Sequence, residues 1–168
     1  LSADYELPSV KGQVNVTYTI NNKGEILVSS ELKGISSDLP ILPRFGHNLI
    51  IDNSYDQVEW YGRGEHENYQ DRNTAALVGV YDAYVSDMYF KYIRPQENGN
   101  RTDVRTLSFE NNNGKGIKIT APELFSFSAH HQLNSDFDEG MQKRQQHTYD
   151  IPTRELININ IDHSQMGV

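Results

Sequence analysis

Gln13-Val14-Asn15-Val16-Thr17-Tyr18-Thr19-Ile20 alternates between apolar and polar residues without a fault. Val14, Val16, Tyr18 and Ile20 fall on one face and Gln13, Asn15, Thr17 and Thr19 on the other, the period of a half-buried strand. Asn21-Asn22-Lys23-Gly24 follows, a turn built of residues that tolerate positive φ. Residues 25–33 then return as a second strand, with Ile26, Val28 and Leu32 directed at the core. The stretch predicts a β-hairpin, and the same alternation recurs along the chain.

Beyond the hairpin, Leu39-Pro40-Ile41-Leu42-Pro43 breaks the pairing, because proline donates nothing to a ladder and pushes its predecessor to extended backbone. Residues 44–51 and 57–61 predict two further strands, and Val58 and Trp60 share a face that places the single Trp in the core. Residues 106–110, the turn Asn111-Asn112-Asn113-Gly114 and a return strand at 116–120 make another hairpin. Phe125, Phe127 and Ala129 line one face of a following strand. In residues 156–162, Ile157, Ile159 and Ile161 alternate with Asn158, Asn160 and Asp162. One short helix is expected over 137–146, capped by Asp136 and weakened by Gly140. Strands at short spacing with so little helix predict an all-β antiparallel sandwich, one domain over residues 1–168. Residues 60–105, crowded with Tyr, Asn, Arg and carboxylates, read as ordered loop that either lines a binding surface or clasps the sandwich.

A chain of 168 residues buries a real core, and a formal charge of -8 argues against nucleic acid and anionic membrane surfaces as partners. No apolar run is long enough to span a bilayer. The absence of cysteine excludes thiol catalysis, thiolate zinc and disulfides, and leaves a bacterial cytoplasm or periplasm equally open. A start at Leu1 and an end at Met166-Gly167-Val168 are those expected of a piece cut from a longer protein. Sheet edges exposed by such a cut would favour self-association.

Glu65, Glu67 and Asp71 lie close in sequence, and glycosidases use two carboxylates held at a defined separation. Sequence proximity does not create that geometry, and pairing of Glu67 and Asp71 with Arg63, Arg72 or loop amides is the favoured reading. His130 and His131 are strand neighbours that point to opposite faces, so no metal site is expected. Tyr81, Tyr84, Tyr89 and Tyr92, beside Asp82, Asp87 and Arg94, suit a polar surface for either a sugar or a neighbouring domain. Asn158, Asn160 and Asp162, aligned on one face and followed by His163, are candidate sugar-contacting residues, but a solvated or domain-covered face is the favoured reading.

From Arg44 onward the chain resembles the C-terminal "small chain" domain of the multidomain β-galactosidases of glycoside hydrolase family 2. The motifs run in order: Pro43-Arg44-Phe45-Gly46, Trp60-Tyr61-Gly62-Arg63-Gly64 and Glu67-Asn68-Tyr69-Gln70-Asp71-Arg72. They continue with Ser86-Asp87-Met88-Tyr89, Tyr92-Ile93-Arg94-Pro95-Gln96-Glu97-Asn98-Gly99 and Thr102-Asp103-Val104-Arg105, and close with residues 158–168, ending Met166-Gly167-Val168. Glu65 stands where the family commonly has Pro, and Thr106 where an aromatic is frequent.

The resemblance implies an antiparallel supersandwich similar to galactose mutarotase. It implies that the catalytic glutamates and the metals, Mg with Na as a second cation, belong to a TIM-barrel domain outside this chain. It also implies a pocket Trp a few residues beyond the Met-Gly-Val motif. The chain is then expected to be a non-catalytic domain of a retaining β-galactosidase acting on lactose-type galactosides. It would complete the sugar pocket beside the enzyme's own barrel and support a homo-oligomer. Trp60, Arg63, Glu67, Asn68, Tyr69, Asp71, Arg72, Asp87, Arg94, Glu97 and Arg105 are assigned to a structural clasp. Two alternatives remain. One is a stand-alone carbohydrate-binding module. The other is a mutarotase-like epimerase using His47, His66 or His163 with Glu67 or Asp162.

Overall fold

The computed structural model describes residues 1–35, 38, 42–138 and 146–166. Among them the chain forms nine strands: β1 (Ser2–Leu7), β2 (Gly12–Ile20), β3 (Ile26–Lys33), β4 (Arg44–Asp52), β5 (Gln57–Gly64), β6 (Leu77–Tyr84), β7 (Arg101–Glu110), β8 (Gly116–His130) and β9 (Leu156–Gln165). Every pairing between them is antiparallel, so the all-β antiparallel expectation holds. No described helix is long and apolar enough to cross a membrane. The chain divides into two compact units, Leu1–Leu42 and Pro43–Val168.

The first unit is a three-stranded sheet in the order β1-β2-β3. Its β2–β3 turn is set by one side chain: Asn21 Oδ1 accepts from Lys23 N at 2.9 Å and Glu25 N at 3.1 Å, while Gly24 takes φ 82°. Asn111 and Gly114 repeat this device between β7 and β8, with bonds of 3.0 and 3.1 Å and φ 68°. Ile26 and Val28 do not face a core as their alternation suggests; they are 61% and 38% exposed, while Val16 is 8% exposed.

The second unit is a six-stranded sheet in the order β4-β9-β8-β7-β5-β6. One face supplies the core: Val58 and Trp60 of β5, Leu107 and Phe109 of β7, Phe125, Phe127 and Ala129 of β8, Ile157 and Ile159 of β9. Trp60 meets the Phe127 ring edge-on at 5.7 Å, stacks on Tyr81 at 5.6 Å and donates its indole N–H to Arg63 O at 3.0 Å. Val85 and Met88, on the 3-10 turn Val85–Met88, join the same cluster. Each large side chain so buried contributes about 1.5–3 kcal/mol.

Two expectations are corrected here and one is refined. Residues 60–105 are mostly ordered loop, as expected, but the end of β5, all of β6 and the start of β7 are set within them. β6 escapes an alternation reading because Leu77, Val78 and Val80 are apolar on both faces. It is an edge strand, with Tyr81 and Ala83 turned inward and Val80 67% exposed. The strands expected at 116–120 and around Phe125 are one strand, bent where residues 121–124 of β8 oppose Arg105 alone on β7. Asp136 does not cap a helix: it closes the 3-10 turn Asn134–Asp136, and its carboxylate accepts from Leu133 N at 2.7 Å and from Arg154. Residues 139–145 of that expected helix lie outside the described residues, as do 39–41 of the proline break and Gly167 and Val168 of the last motif.

Gly46 sits at a register shift between β4 and β9, where a Cβ would lie 2.2 Å from Ile161 O and 2.7 Å from Asp162 Cα. Phe127→Ala is expected to lower unfolding free energy by about 3–5 kcal/mol. Gly46→Ala, which forces two backbones apart, should cost about as much. Urea unfolding of both variants checks this; a Gly46→Ala loss under ~0.5 kcal/mol would contradict the strand contact.

Candidate functional site

The second face of β4, β9 and β8 carries a polar row that the structure buries. Asn158 is 1% exposed and Asn160 4%. The Asn160 amide donates to Ser128 Oγ at 3.1 Å and Asn134 Oδ1 at 3.0 Å, and its oxygen accepts from Asn48 and Asn134, both at 2.9 Å. Asn158 accepts from Asn48 at 2.7 Å and donates to Asn134 at 3.1 Å. These amides, candidates for sugar hydroxyls, are turned onto one another. His163 points away from them, its side chain 64% exposed and 3.9 Å from Glu123.

Asp162, on the same row, is 1% exposed. Arg44 Nε lies 3.0 Å from Asp162 Oδ1, an ion pair off the hydrogen-bond line, and Arg44 Nη2 donates to Glu97 at 2.5 Å. Glu97 also accepts from Gln165 Nε2. One guanidinium therefore serves two carboxylates. Burial pushes the Asp162 carboxyl up to about 7, with the charge of Glu97 acting in the same direction and Arg44 opposing both. Met166 N donates to Pro43 O at 3.0 Å, so the end of β9 is tied at side chain and backbone.

Two loops, 65–76 and 89–100, are joined by a second polar set. Glu67 accepts from Gly99 N at 2.7 Å and from the Tyr92 hydroxyl. Asn68 and Asn100 are tied twice: Asn68 N donates to Asn100 O at 2.8 Å, and the Asn100 amide returns to Asn68 O at 2.9 Å. Asn68 Oδ1 accepts from Thr102 N at 3.0 Å and Thr102 Oγ1 at 2.6 Å. Tyr69 is buried with Arg72 over its ring at 4.1 Å, and burial raises its hydroxyl pKa far above the usual phenol range. Arg101 is 5% exposed, donates to Gly99 O at 3.0 Å and lies 5.3 Å over the Trp60 ring; burial lowers it to about 10.

The remaining clasp residues divide. Arg63 pairs with Asp103 at 2.5 Å and donates to Ala76 O at 2.8 Å. Asp103 holds φ 54° at a register shift of β7, a conformation Asp tolerates, and Arg105 donates to its carbonyl at 2.6 Å while covering Tyr61 at 5.0 Å. Among the described residues Asp71 pairs with its exposed neighbour Arg72 alone. Asp87 and Arg94 are exposed and make no hydrogen bond or ion pair among the described residues. Arg44, Asn100, Thr102, Asp103 and Gln165 do the work that the sequence assigned more vaguely to its neighbours; all but Asn100 fall within the resembling motifs.

His130, 2% exposed, donates from Nε2 to Asn98 O at 2.8 Å and sits between Tyr89 and Phe137 at 6.1 and 5.7 Å; burial lowers it to about 4. His131 turns the other way, to Leu156 O at 2.8 Å. Among the described residues no three His, Asp or Glu converge. Glu67 and Glu97 are engaged by amides, a hydroxyl and Arg44, and Asp162 is held by the Arg44 charge. An open cleft of about 430 Å³ between β5, β6 and β7 is lined by Glu59, Asp82, Tyr84, Asp87 and Glu110.

The whole chain, residues 1–168, matches the family model described as beta galactosidase small chain. It is 32% identical over 168 residues to a beta-galactosidase of Priestia megaterium, covering all of this chain and 16% of that protein. It is 33% identical to the beta-galactosidase of Pseudoalteromonas haloplanktis (98% of this chain, 15% of that protein) and 34% to that of Halalkalibacterium halodurans (93% and 15%). The chain thus spans about one-sixth of the length of these relatives.

Asp162 and His130 give opposite pH dependences. Asp162 binds its proton more tightly folded than unfolded, so its contribution is present at low pH and is lost as pH rises from 3.8 through about 7. His130 binds its proton less tightly folded, so its contribution is present above 6.5 and is lost as pH falls through about 4. Each slope is at most ~1.4 kcal/mol per pH unit, and over pH 4–6.5 they oppose. Asp162→Asn should leave stability rising with pH in this window, and His130→Gln should leave it falling. Urea unfolding at pH 4.5 and 6.5 measures both, and unchanged slopes would contradict these two environments.

Proposed function

The chain belongs to the β-galactosidase small-chain family, and we propose that it is a non-catalytic domain of a retaining β-galactosidase that hydrolyses terminal β-D-galactosides of the lactose type. The observation that carries this reading is the match of all 168 residues to the small-chain model while only about 15% of the relatives named beta-galactosidase is covered. The chemistry of a retaining glycosidase needs a nucleophile carboxylate and an acid carboxyl about 5 Å apart across the scissile bond. In this chain Glu67, Glu97 and Asp162 are each held by internal partners, which supports placing that pair elsewhere in the parent, in its barrel domain. On this reading the Mg and Na that the resemblance implies would sit in that barrel.

Within this reading, the Arg44–Glu97–Gln165 lock has a definite task. It fixes β9 at the point where the chain runs on past Met166 toward the pocket Trp implied by the resemblance. The domain would then complete the sugar pocket beside its own barrel and contribute to a homo-oligomer.

A second reading, a stand-alone carbohydrate-binding module, is supported by the cleft between β5, β6 and β7. There Tyr84 offers a ring face and Glu59, Asp82 and Glu110 offer acceptors for sugar hydroxyls. Titration with galactose and lactose separates the two. Saturable millimolar binding by this chain favours the module, and silence removes it.

The intact parent is expected to hydrolyse lactose with retention of anomeric configuration, followed by NMR; no β-galactosidase activity would overturn the assignment. In that parent, Glu97→Ala should raise KM for galactosides by roughly 3–10-fold with kcat within about twofold, the pattern of a lost binding contact. An unchanged KM would sever the lock from the pocket.

A further inference from the structure

Loop 89–100 is pinned from beneath and presents apolar tips to solvent. Phe90 N donates to Asn98 Oδ1 at 2.9 Å, the Asn98 amide to Gln96 O at 3.0 Å, and Gly99 N to Glu67 at 2.7 Å. Above these ties Ile93 is 98% exposed, Tyr149 90% and Phe90 51%. The patch is ordered: the Phe90 and Tyr92 rings lie 4.6 Å apart, Thr148 Oγ1 donates to Tyr92 O, and Lys91 Nζ stands 5.7 Å over the Tyr149 ring. Lys91 and Arg94 are exposed and make no ion pair among the described residues, on a chain of net charge -8. Single exposed apolar residues are ordinary, but a group of Ile and aromatics rimmed by two cations with no ion-pair partner among the described residues has the make-up of a protein interface.

We infer that Phe90, Ile93 and Tyr149, rimmed by Lys91 and Arg94, form the surface on which this domain docks against an acidic, apolar-centred patch of the remaining part of its own polypeptide. The inference rests on the reading of the chain as one domain of a larger β-galactosidase. Two observations select this occupant over a second copy. The relatives carry about six times the length of this chain, so a tethered partner is at hand at millimolar effective concentration. The patch offers on the order of 500 Å², judged from aromatic side chains of 150–250 Å² each, which falls short of the roughly 800 Å² per partner of a free association. Lys91 and Arg94, on the rim, select an acidic counter-surface and penalise a basic one.

The test places one thiol on the patch of the full-length parent, as Ile93→Cys or, independently, Tyr149→Cys. Alkylation is followed by peptide mass spectrometry against Asn113→Cys on the exposed β7–β8 turn. Alkylation at 93 and 149 is expected at least tenfold slower than at 113 and unchanged over a hundredfold dilution. Adding Arg94→Glu to Ile93→Cys should speed it several-fold. Alkylation at the control rate overturns docking. Protection that disappears on dilution assigns the patch to a second copy and also overturns it. Galactosidase activity of the same preparations separates failure of this inference from failure of the family reading.

Discussion

The amide of Asn160 stands at the junction of four segments. It lies on β9, donates to Ser128 of β8, accepts from Asn48 of β4 and exchanges two hydrogen bonds with Asn134 of the turn beyond β8. A strand buried on both faces is normally apolar throughout. β9 instead alternates Ile with Asn while burying both, so its polar face must find every partner inside the protein. An unpaired buried amide costs about 1–3 kcal/mol, and a network met only in part is worse than none. That constraint fixes the turn at Asn134, which is itself held by Asp136 and Arg154, and it ties β4 to the sheet through Asn48.

Much of the architecture is legible from alternation and turns. Both hairpin turns follow from an Asn whose side chain caps the backbone two and four residues on, followed by Gly at positive φ. The Val58–Trp60 face and the Ile face of β9 follow from period two. Alternation does not reach β6, apolar on both sides at a sheet edge, or β1, whose strand is mostly exposed. The row at Asn158, Asn160 and Asp162 is correctly aligned by sequence, but its direction is not readable. Whether a polar face meets water or other amides depends on Asn48 and Asn134, which lie 110 and 24 positions from Asn158.

The site residues show the same limit. Glu67 in a loop suggests a charge partner, and sequence offers Arg63 and Arg72. The structure gives it instead an amide and a phenol, Gly99 and Tyr92, from the other loop. Arg63 goes to Asp103, whose left-handed backbone no residue pattern announces. Nearness in sequence governs turns; the partners of buried charges are set by which strands the sheet brings together. The family motifs recover many of these residues because they sample the folded arrangement rather than local preference.

The position of β4 has a consequence for synthesis. In the sheet order it stands at an edge beside β9, and Asn48 meets Asn158 across 110 residues of chain. A ribosome adding 5–20 residues per second takes roughly 5–20 s to cover that distance. During this interval β4 is already made, and the strand that satisfies its hydrogen bonds is not. The nascent second unit therefore completes its sheet last at its earliest strand, so the emergence of β9, rather than local hairpin formation, sets when that unit closes. Any segment made earlier that folds quickly would spend this interval beside an open strand edge, where a chaperone has most to do.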